Sequence, residues 1–123
     1  MMTIREVIEI VDGKVLVGGD RLDERVDTAC GSDLMSDVLA FVKEKTVLIT
    51  GLINPHVLRT SEMLDITCIV FSRGKQPNEL ILEEAEECGI TVMSTEMTTY
   101  TACGELYVHG LPGTKKRTGA EGA

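Results

Sequence analysis

The sequence predicts an α/β fold, a single three-layer αβα-like domain with a mostly parallel sheet. Three short apolar runs rich in β-branched residues, TVLIT, ITCIVF and ITVMST, are bounded by Gly, Ser, Thr or Asn. Segments with helical spacing lie between these runs, and each opens at a proline in a first-turn context, at Asn54-Pro55 and Gln76-Pro77. Strands that alternate with single helices imply right-handed crossovers and parallel pairing.

The chain is predicted to begin with a short amphipathic helix. Thr3 and Glu6 have the spacing of a capping box, and Gly13 is placed to end the helix. Its apolar stripe consists of Ile4, Val7, Ile8 and Val11. KVLVGG then forms a brief strand, and DRLDER forms a polar surface loop.

A second strand and helix are predicted before the central apolar runs. RVDTACGSD forms a strand that ends at Gly31, and Ser32 or Asp33 is placed to cap the following helix. The apolar face of that helix holds Leu34, Met35, Val38, Leu39 and Val42.

Two helices complete the predicted fold. The first has an inward stripe and an opposite acidic face, which is either a solvated surface or a surface for a basic partner. Its inward stripe is Ile81, Ala85 and Cys88, and its acidic residues are Glu79, Glu83, Glu84, Glu86 and Glu87. The last helix begins at Thr98 or Thr99 and closes at Gly110, with Cys103, Leu106 and Tyr107 directed inward.

Composition narrows the classes of function. The chain has 123 residues and a net charge of −8, which argues against DNA or RNA as a partner, because phosphate binding needs clustered Lys and Arg. No apolar run approaches the ~18 residues of a membrane span and no signal-peptide pattern is present, so we expect a cytoplasmic protein.

The four cysteines form no CxxC pair, which predicts reduced structural thiols and no metal site. We expect one folded domain over residues 1–112 and a flexible tail over residues 113–123.

A ligand site is expected where the parallel strands end, because ligands of open α/β sheets bind beyond the carboxyl ends of the strands. We call this edge the C-terminal rim. Arg73 and Lys75, together with backbone amides, would suit a carboxylate or phosphate. Alternatively, the same residue types are ordinary caps and turn formers. The candidate ligand-binding residues are Thr50, Gly51, Asn54, Arg73, Gly74, Lys75, Ser94, Thr95 and Thr99.

Catalysis finds little support in the sequence. It contains neither a GxxxxGK[ST] phosphate-binding loop nor a GxSxG nucleophile turn. His56 and His109 are the only histidines, so few groups could serve as a general base. We therefore assign no catalytic residue, no cofactor and no metal.

Motifs spread through the chain carry a resemblance to a known family. They are Ile49-Thr50-Gly51, Ser72-Arg73-Gly74, Pro77, Ala85, Gly89-Ile90-Thr91-Val92, Ser94-Thr95, MTTYTA at residues 97–102 and TIREVIEIVDGKVLVGG near the start. With these motifs, residues 3–110 resemble the DRTGG domain. The family's Asp-Arg pair would fall near Leu52-Ile53 and is absent, Arg73 replaces the first Gly of the Thr-Gly-Gly element, and Thr98 replaces an Asp.

The resemblance implies a small regulatory or dimer-forming α/β unit without an established reaction of its own. Such domains occur between CBS domains in regulatory pyrophosphatases and in the N-terminal region of phosphotransacetylases, and they are similar to the N-terminal domain of HPr kinase/phosphorylase. We therefore expect a non-catalytic regulatory or assembly module that forms a homodimer or acts on a protein partner. The first alternative is a sensor of a small anionic metabolite or nucleotide bound at the C-terminal rim, and the second is an enzyme of unknown reaction.

Overall fold

A five-stranded sheet forms the centre of the computed structural model, which describes residues 2–42 and 45–114. The strands are β1 (Met2–Thr3), β2 (Lys14–Val17), β3 (Arg25–Val26), β4 (Thr28–Gly31), β5 (Thr46–Thr50), β6 (Cys68–Phe71) and β7 (Thr91–Ser94). The helices are α1 (Ile4–Val11), α2 (Met35–Phe41), α3 (Pro55–Met63), α4 (Glu79–Cys88) and α5 (Thr99–Val108).

The sheet has the order β2-β7-β6-β5-β4. Strands β4 to β7 pair in parallel and in sequence order, and β2 joins β7 antiparallel with an irregularity between Val15 and Val17. Every residue of β5, β6 and β7 is buried, as expected for parallel strands covered by helices on both faces. A separate antiparallel pair joins β1 to β3.

Helices cover both faces of the sheet. Val38 of α2, Leu58 of α3 and Ile81 of α4 belong to one buried apolar cluster. Val7 of α1 and Leu106 of α5 belong to a second cluster on the opposite face. The predicted α/β class, the three layers and the mostly parallel sheet are confirmed.

Several predicted helix ends differ from the structure. Helix α1 has the predicted capping box but ends at Val11, because Asp12 adopts the left-handed conformation with φ 54°. Helix α2 is preceded by Leu34, which makes no side-chain cap, and Asp33 is hydrogen-bonded elsewhere. Pro77 lies before the cap residue Asn78 and not in the first turn of α4.

Some side chains also point away from their predicted positions. Tyr107 is 70% exposed and Leu39 is 44% exposed, although both were expected to face the core. Cys88 is also exposed. The predicted strand before α2 is divided into β3 and β4 at Asp27. Gly113 still pairs with Ala29, while residues 115–123 of the predicted tail lie outside the described residues, so the boundary at residue 112 stays a prediction.

Candidate functional site

The C-terminal rim is assembled from the segments that follow β5, β6 and β7. The Arg73 guanidinium lies over Gly51, so close that a Cβ placed on Gly51 would stand 2.6 Å from Arg73 Nη2. The hydroxyls of Ser72 and Thr99 are 2.6 Å apart and join the end of β6 to the start of α5. The structure therefore brings the candidates after β5 and β6 and the start of α5 together at one edge of the sheet.

A tight turn over residues 72–75 presents the two cations of the rim. The Lys75 N–H donates to the Ser72 carbonyl at 3.2 Å, and Arg73 and Gly74 have φ values of 60° and 67°, as in a type I′ turn. The backbone N–H groups of Arg73 and Gly74 donate to the carbonyls of Met97 and Thr95, both at 2.7 Å. These amides hold the turn to the segment before α5, which leaves the exposed Arg73 and Lys75 side chains as the groups that can meet a ligand.

Most hydroxyl candidates have structural hydrogen-bond partners. Thr50 is fully buried, donates to Asp33 Oδ1 at 2.9 Å and accepts from the Leu52 N–H at 3.1 Å. Thr95 donates to the Val11 carbonyl at 2.5 Å and accepts from the Met97 N–H at 3.2 Å. These groups fix the shape of the rim.

Two further polar candidates lie at the start of α3 and at the end of β7. Asn54 accepts the His56 N–H at 2.8 Å and so caps α3. Ser94 is 5% exposed at the end of β7. As ligand contacts, all nine candidates stay predictions.

Two carboxylates stand beside the cations of the rim. The Gly51 N–H donates to Asp33 Oδ1 at 2.8 Å, and this bond is the main reason that the pKa of Asp33 lies below its usual value. The Thr50 hydroxyl and the charges of Arg73 and Lys75 lower it further, while partial burial opposes them. Glu96 lies against Gly74, where an added Cβ would be 2.8 Å from its Oε1. A ligand of this edge would therefore meet acids as well as bases.

The histidines and cysteines lie in several different elements of the fold. His56 lies in the first turn of α3, and His109 Nδ1 lies 2.8 Å from the Glu105 carbonyl at the end of α5. All four cysteines are free, and burial raises the pKa of the Cys30, Cys68 and Cys103 thiols, to about 12 for Cys68. A raised pKa keeps a thiol protonated and unreactive. Residues 2–42 and 45–114 contain no cluster of three or more His, Cys, Asp or Glu suited to a metal ion.

A second surface, which the sequence analysis missed, lies on α5. We call Tyr100, Gly104, Tyr107 and Val108 the outer face of α5. Its three large side chains are 87%, 70% and 78% exposed in sequence order. The same four residues line a groove of about 580 Å³, together with Ala29, Gly31, Cys103, Glu105 and Leu111 among others, and its surface is mainly apolar. The sequence could have indicated this surface, because α5 carries apolar residues on two sides. Ala102 and Leu106 fill its buried face, which leaves the tyrosines on the other side.

Comparison with known proteins yields a family and a fold. The family model of the DRTGG domain matches residues 6–107. A solved structure of the CBS and DRTGG domains of the regulatory region of Clostridium perfringens pyrophosphatase, complexed with the activator diadenosine tetraphosphate, superposes with a TM-score of 0.68 at 18% sequence identity. The superposition covers 89% of this chain and 47% of the pyrophosphatase chain. Within the described residues, no helix is long and apolar enough to cross a membrane.

Proposed function

The chain belongs to the DRTGG domain family, and on that premise we propose that it is a non-catalytic regulatory module that acts as a homodimer. The outer face of α5 carries this proposal. Three large exposed side chains on one helix form an apolar surface of the kind that marks a protein contact. A regulatory domain without its own reaction needs such a contact to transmit a change in its state.

Molar mass in solution tests the dimer. Light scattering over a concentration series should give about twice the 13.4 kDa chain mass at high concentration, with dissociation on dilution. A mass of one chain throughout the series would contradict the homodimer and favour a different protein as the partner.

A sensor of an anionic ligand is the second candidate, and the backbone of Arg73 favours it. Arg73 has φ 60°, a left-handed backbone conformation that costs a residue with a side chain about 1 kcal/mol or more. The family pattern has Gly at this position. Arg73 is strained and its exposed guanidinium lies at the C-terminal rim. This combination suggests that the cation contacts a ligand there. The pyrophosphatase structure contains diadenosine tetraphosphate, so that compound and inorganic pyrophosphate are suitable probes.

Replacing Arg73 by Gly separates strain from binding. Arg73→Gly should raise the free energy of unfolding by about 1 kcal/mol, because Gly adopts positive φ without strain. It should also abolish any rise in melting temperature that the probes cause in the wild type. Lys14→Ala, which removes an exposed cation at the start of β2, serves as the matched control. A ligand shift of wild-type size in Arg73→Gly would rule out Arg73 as a ligand contact.

A further inference from the structure

The outer edge of β4 is paired at a single point within the described part of the chain. Strand β4 ends the five-stranded sheet, so no strand of that sheet lies beside its outer edge. The Ala29 N–H faces this edge and donates to the Pro112 carbonyl at 2.9 Å. Gly31 is the next residue that faces the same edge, because the Ser32 N–H points the other way, to the Ile49 carbonyl. The N–H and carbonyl of Gly31 have no backbone partner among the described residues, which leaves them available to a further strand.

The chain leaves this point in the direction of Gly31. Gly113 forms a parallel bridge with Ala29, so a continuation of the same strand would run along β4 towards the C-terminal rim. In the register of the bridge, position 115 lies opposite Gly31. Residues 115–117 are Lys-Lys-Arg, and because none of them is a proline, each has a backbone N–H that it can donate to a neighbouring strand.

The connection to this position also has the handedness that parallel sheets require. From β4 to β7 the chain passes through α2, α3 and α4, which cover one face of the sheet. Helix α5 covers the opposite face and returns the chain to the end of the sheet where β4 lies. Because both the face and the direction of travel are reversed, this crossover has the same hand as the earlier ones, as the right-handed rule for parallel strands demands. A sixth parallel strand beside β4 is therefore an allowed extension of this fold.

The two faces of β4 decide where the side chains of such a strand would point. Cys30 packs against the apolar cluster that α2 helps to form, whereas the Cβ position of Gly31 lies against Cys103 of α5. Residues that lie opposite each other on neighbouring strands point to the same face of a sheet. Position 115 therefore faces α5, and position 116 faces α2.

Both of these surroundings suit a basic side chain. On the α5 side, Tyr100 lines the same groove as Gly31 and is mostly exposed, so its ring can receive a cation. On the α2 side, Asp37 is an exposed carboxylate in the first turn of the helix. Asp33 is a second exposed carboxylate just beyond the end of β4. Three consecutive cations in a chain of net charge −8 thus have opposite charges to meet along this register.

We propose that residues 115–117 pair with the outer edge of β4 as a sixth parallel strand. The Gly31 N–H donates to the Thr114 carbonyl, and the Lys116 N–H donates to the Gly31 carbonyl. Lys115 lies on the tyrosine ring of the α5 side, and Lys116 lies beside the carboxylate in the first turn of α2. The outer edge of β4 is then a docking surface for the basic segment of the same chain, and this pairing closes an edge that could otherwise pair with another molecule.

Two proline substitutions in the full chain test the pairing. In the proposed register the Lys116 N–H is bonded to β4 and the Lys115 N–H points away from it, so only Lys116→Pro removes a bond, although each variant exchanges one lysine for a proline. Hydrogen exchange measured by NMR should show the Gly31 N–H exchanging about tenfold faster in Lys116→Pro than in the wild type, and at nearly the wild-type rate in Lys115→Pro. Equal rates in all three proteins, or a raised rate in Lys115→Pro, overturn the proposal.

A second pair of variants tests the charges. Asp37→Asn removes the carboxylate assigned to Lys116 and should raise the exchange rate of the Gly31 N–H severalfold. Asp65→Asn is the matched control, because Asp65 is an exposed carboxylate before β6, at the other edge of the sheet from the C-terminal rim. An unchanged rate in Asp37→Asn, or an equal rise in both variants, contradicts the placement of Lys116.

The dependence of exchange on protein concentration identifies what occupies the edge. A segment of the same chain protects the Gly31 N–H equally at every concentration, because its pairing is intramolecular. Protection that grows with concentration would mean that a second molecule pairs with β4, and it would overturn the assignment of this edge to residues 115–117.

Discussion

At the scale of single residues, Asp33 shows how one carboxylate can hold two loops. Its Oδ1 accepts hydrogen bonds from the Thr50 hydroxyl and the Gly51 N–H, which stand 17 and 18 positions further along the chain. The Thr50 hydroxyl is buried, so without this acceptor it would lose a bond that water cannot replace. The turn after β5, and with it the surface under Arg73, therefore depends on a residue outside the parallel strands.

Replacing Asp33 by Asn should reveal its charge through the pH dependence of stability. The lowered pKa means that ionised Asp33 stabilises the fold above the unfolded-state pKa of about 3.9, and that this contribution disappears as the pH falls through the lower folded-state value. Urea unfolding at pH 7 should show Asp33→Asn less stable by about 1 kcal/mol at most, because the carboxylate is largely exposed to solvent. The difference should shrink as the pH is lowered below the unfolded-state pKa of about 3.9, and Glu9→Gln on the exposed side of α1 is the control. A difference that persists unchanged in acid would mean that geometry, not charge, is responsible.

Gly31 should tolerate no side chain. A Cβ at this position would clash with Cys103 Sγ, so in Gly31→Ala the Cys103 side chain or α5 itself must move. We expect a loss of about 1–3 kcal/mol in the free energy of unfolding, as for other overpacked sites. Gly19→Ala is the matched control, since nothing lies within 4 Å of its Cβ position. Adding Cys103→Ala should recover most of the loss, and a double-mutant cycle without such coupling would contradict the contact.

At the scale of elements, α2 differs from the other described helices at its start. The N-cap side chains Thr3, Asn54, Asn78 and Thr98 each accept a backbone N–H of their helix, whereas Leu34 offers α2 no such bond. The first amides of α2 therefore lack the side-chain acceptor that Ser, Thr, Asp or Asn supplies at an N-cap.

A better cap should stabilise the protein. Leu34→Asp places an acceptor and a negative charge at the N-terminus of α2 at a small loss of buried surface, since Leu34 is 58% exposed. We expect the free energy of unfolding to rise by about 0.5–2 kcal/mol in chemical denaturation. Leu39→Asp, at a 44% exposed position inside the same helix, should give no such gain. Equal effects from both variants would show that the cap is not the cause.

The elements that could be predicted from the sequence are those whose apolar pattern fits only one kind of secondary structure. The runs TVLIT, ITCIVF and ITVMST are too short and too apolar for anything except buried parallel strands, and they form β5, β6 and β7. For helix α5 the pattern is ambiguous, because Leu106 and Tyr107 belong to different apolar stripes. Periodicity alone cannot show which of the two stripes packs against the sheet of the same chain. Ser32 or Asp33 was expected to cap α2. Asp33 instead accepts hydrogen bonds from Thr50 and Gly51, and local spacing could not predict these partners because the fold brings them together.

At the scale of the whole molecule, the net charge of −8 sets the condition under which two copies can meet. Like charges repel at long range, and salt screens that repulsion within about 10 Å at 0.1 M. The outer face of α5, which carries the proposed homodimer, presents two tyrosines, a valine and a glycine, and Glu105 lines its groove, so salt has few attractive ion pairs to weaken at this surface. The repulsion between the two net negative charges is then the main electrostatic contribution to the dimer dissociation constant that changes with ionic strength.

The dimer should therefore become tighter as salt is added. Raising NaCl from about 20 mM to about 300 mM should lower the dimer dissociation constant severalfold in sedimentation equilibrium, because the repulsion is screened while apolar contacts are retained. Tyr107→Glu, which places a carboxylate on the outer face of α5, should be monomeric at both salt concentrations, and this separates screening from salt-induced aggregation. A dissociation constant that rises with salt would mean that opposite charges hold the copies together. The acidic residues of α4 and the cations Arg73 and Lys75 would then be the surfaces to examine, since they carry the concentrated charge that an electrostatic contact requires.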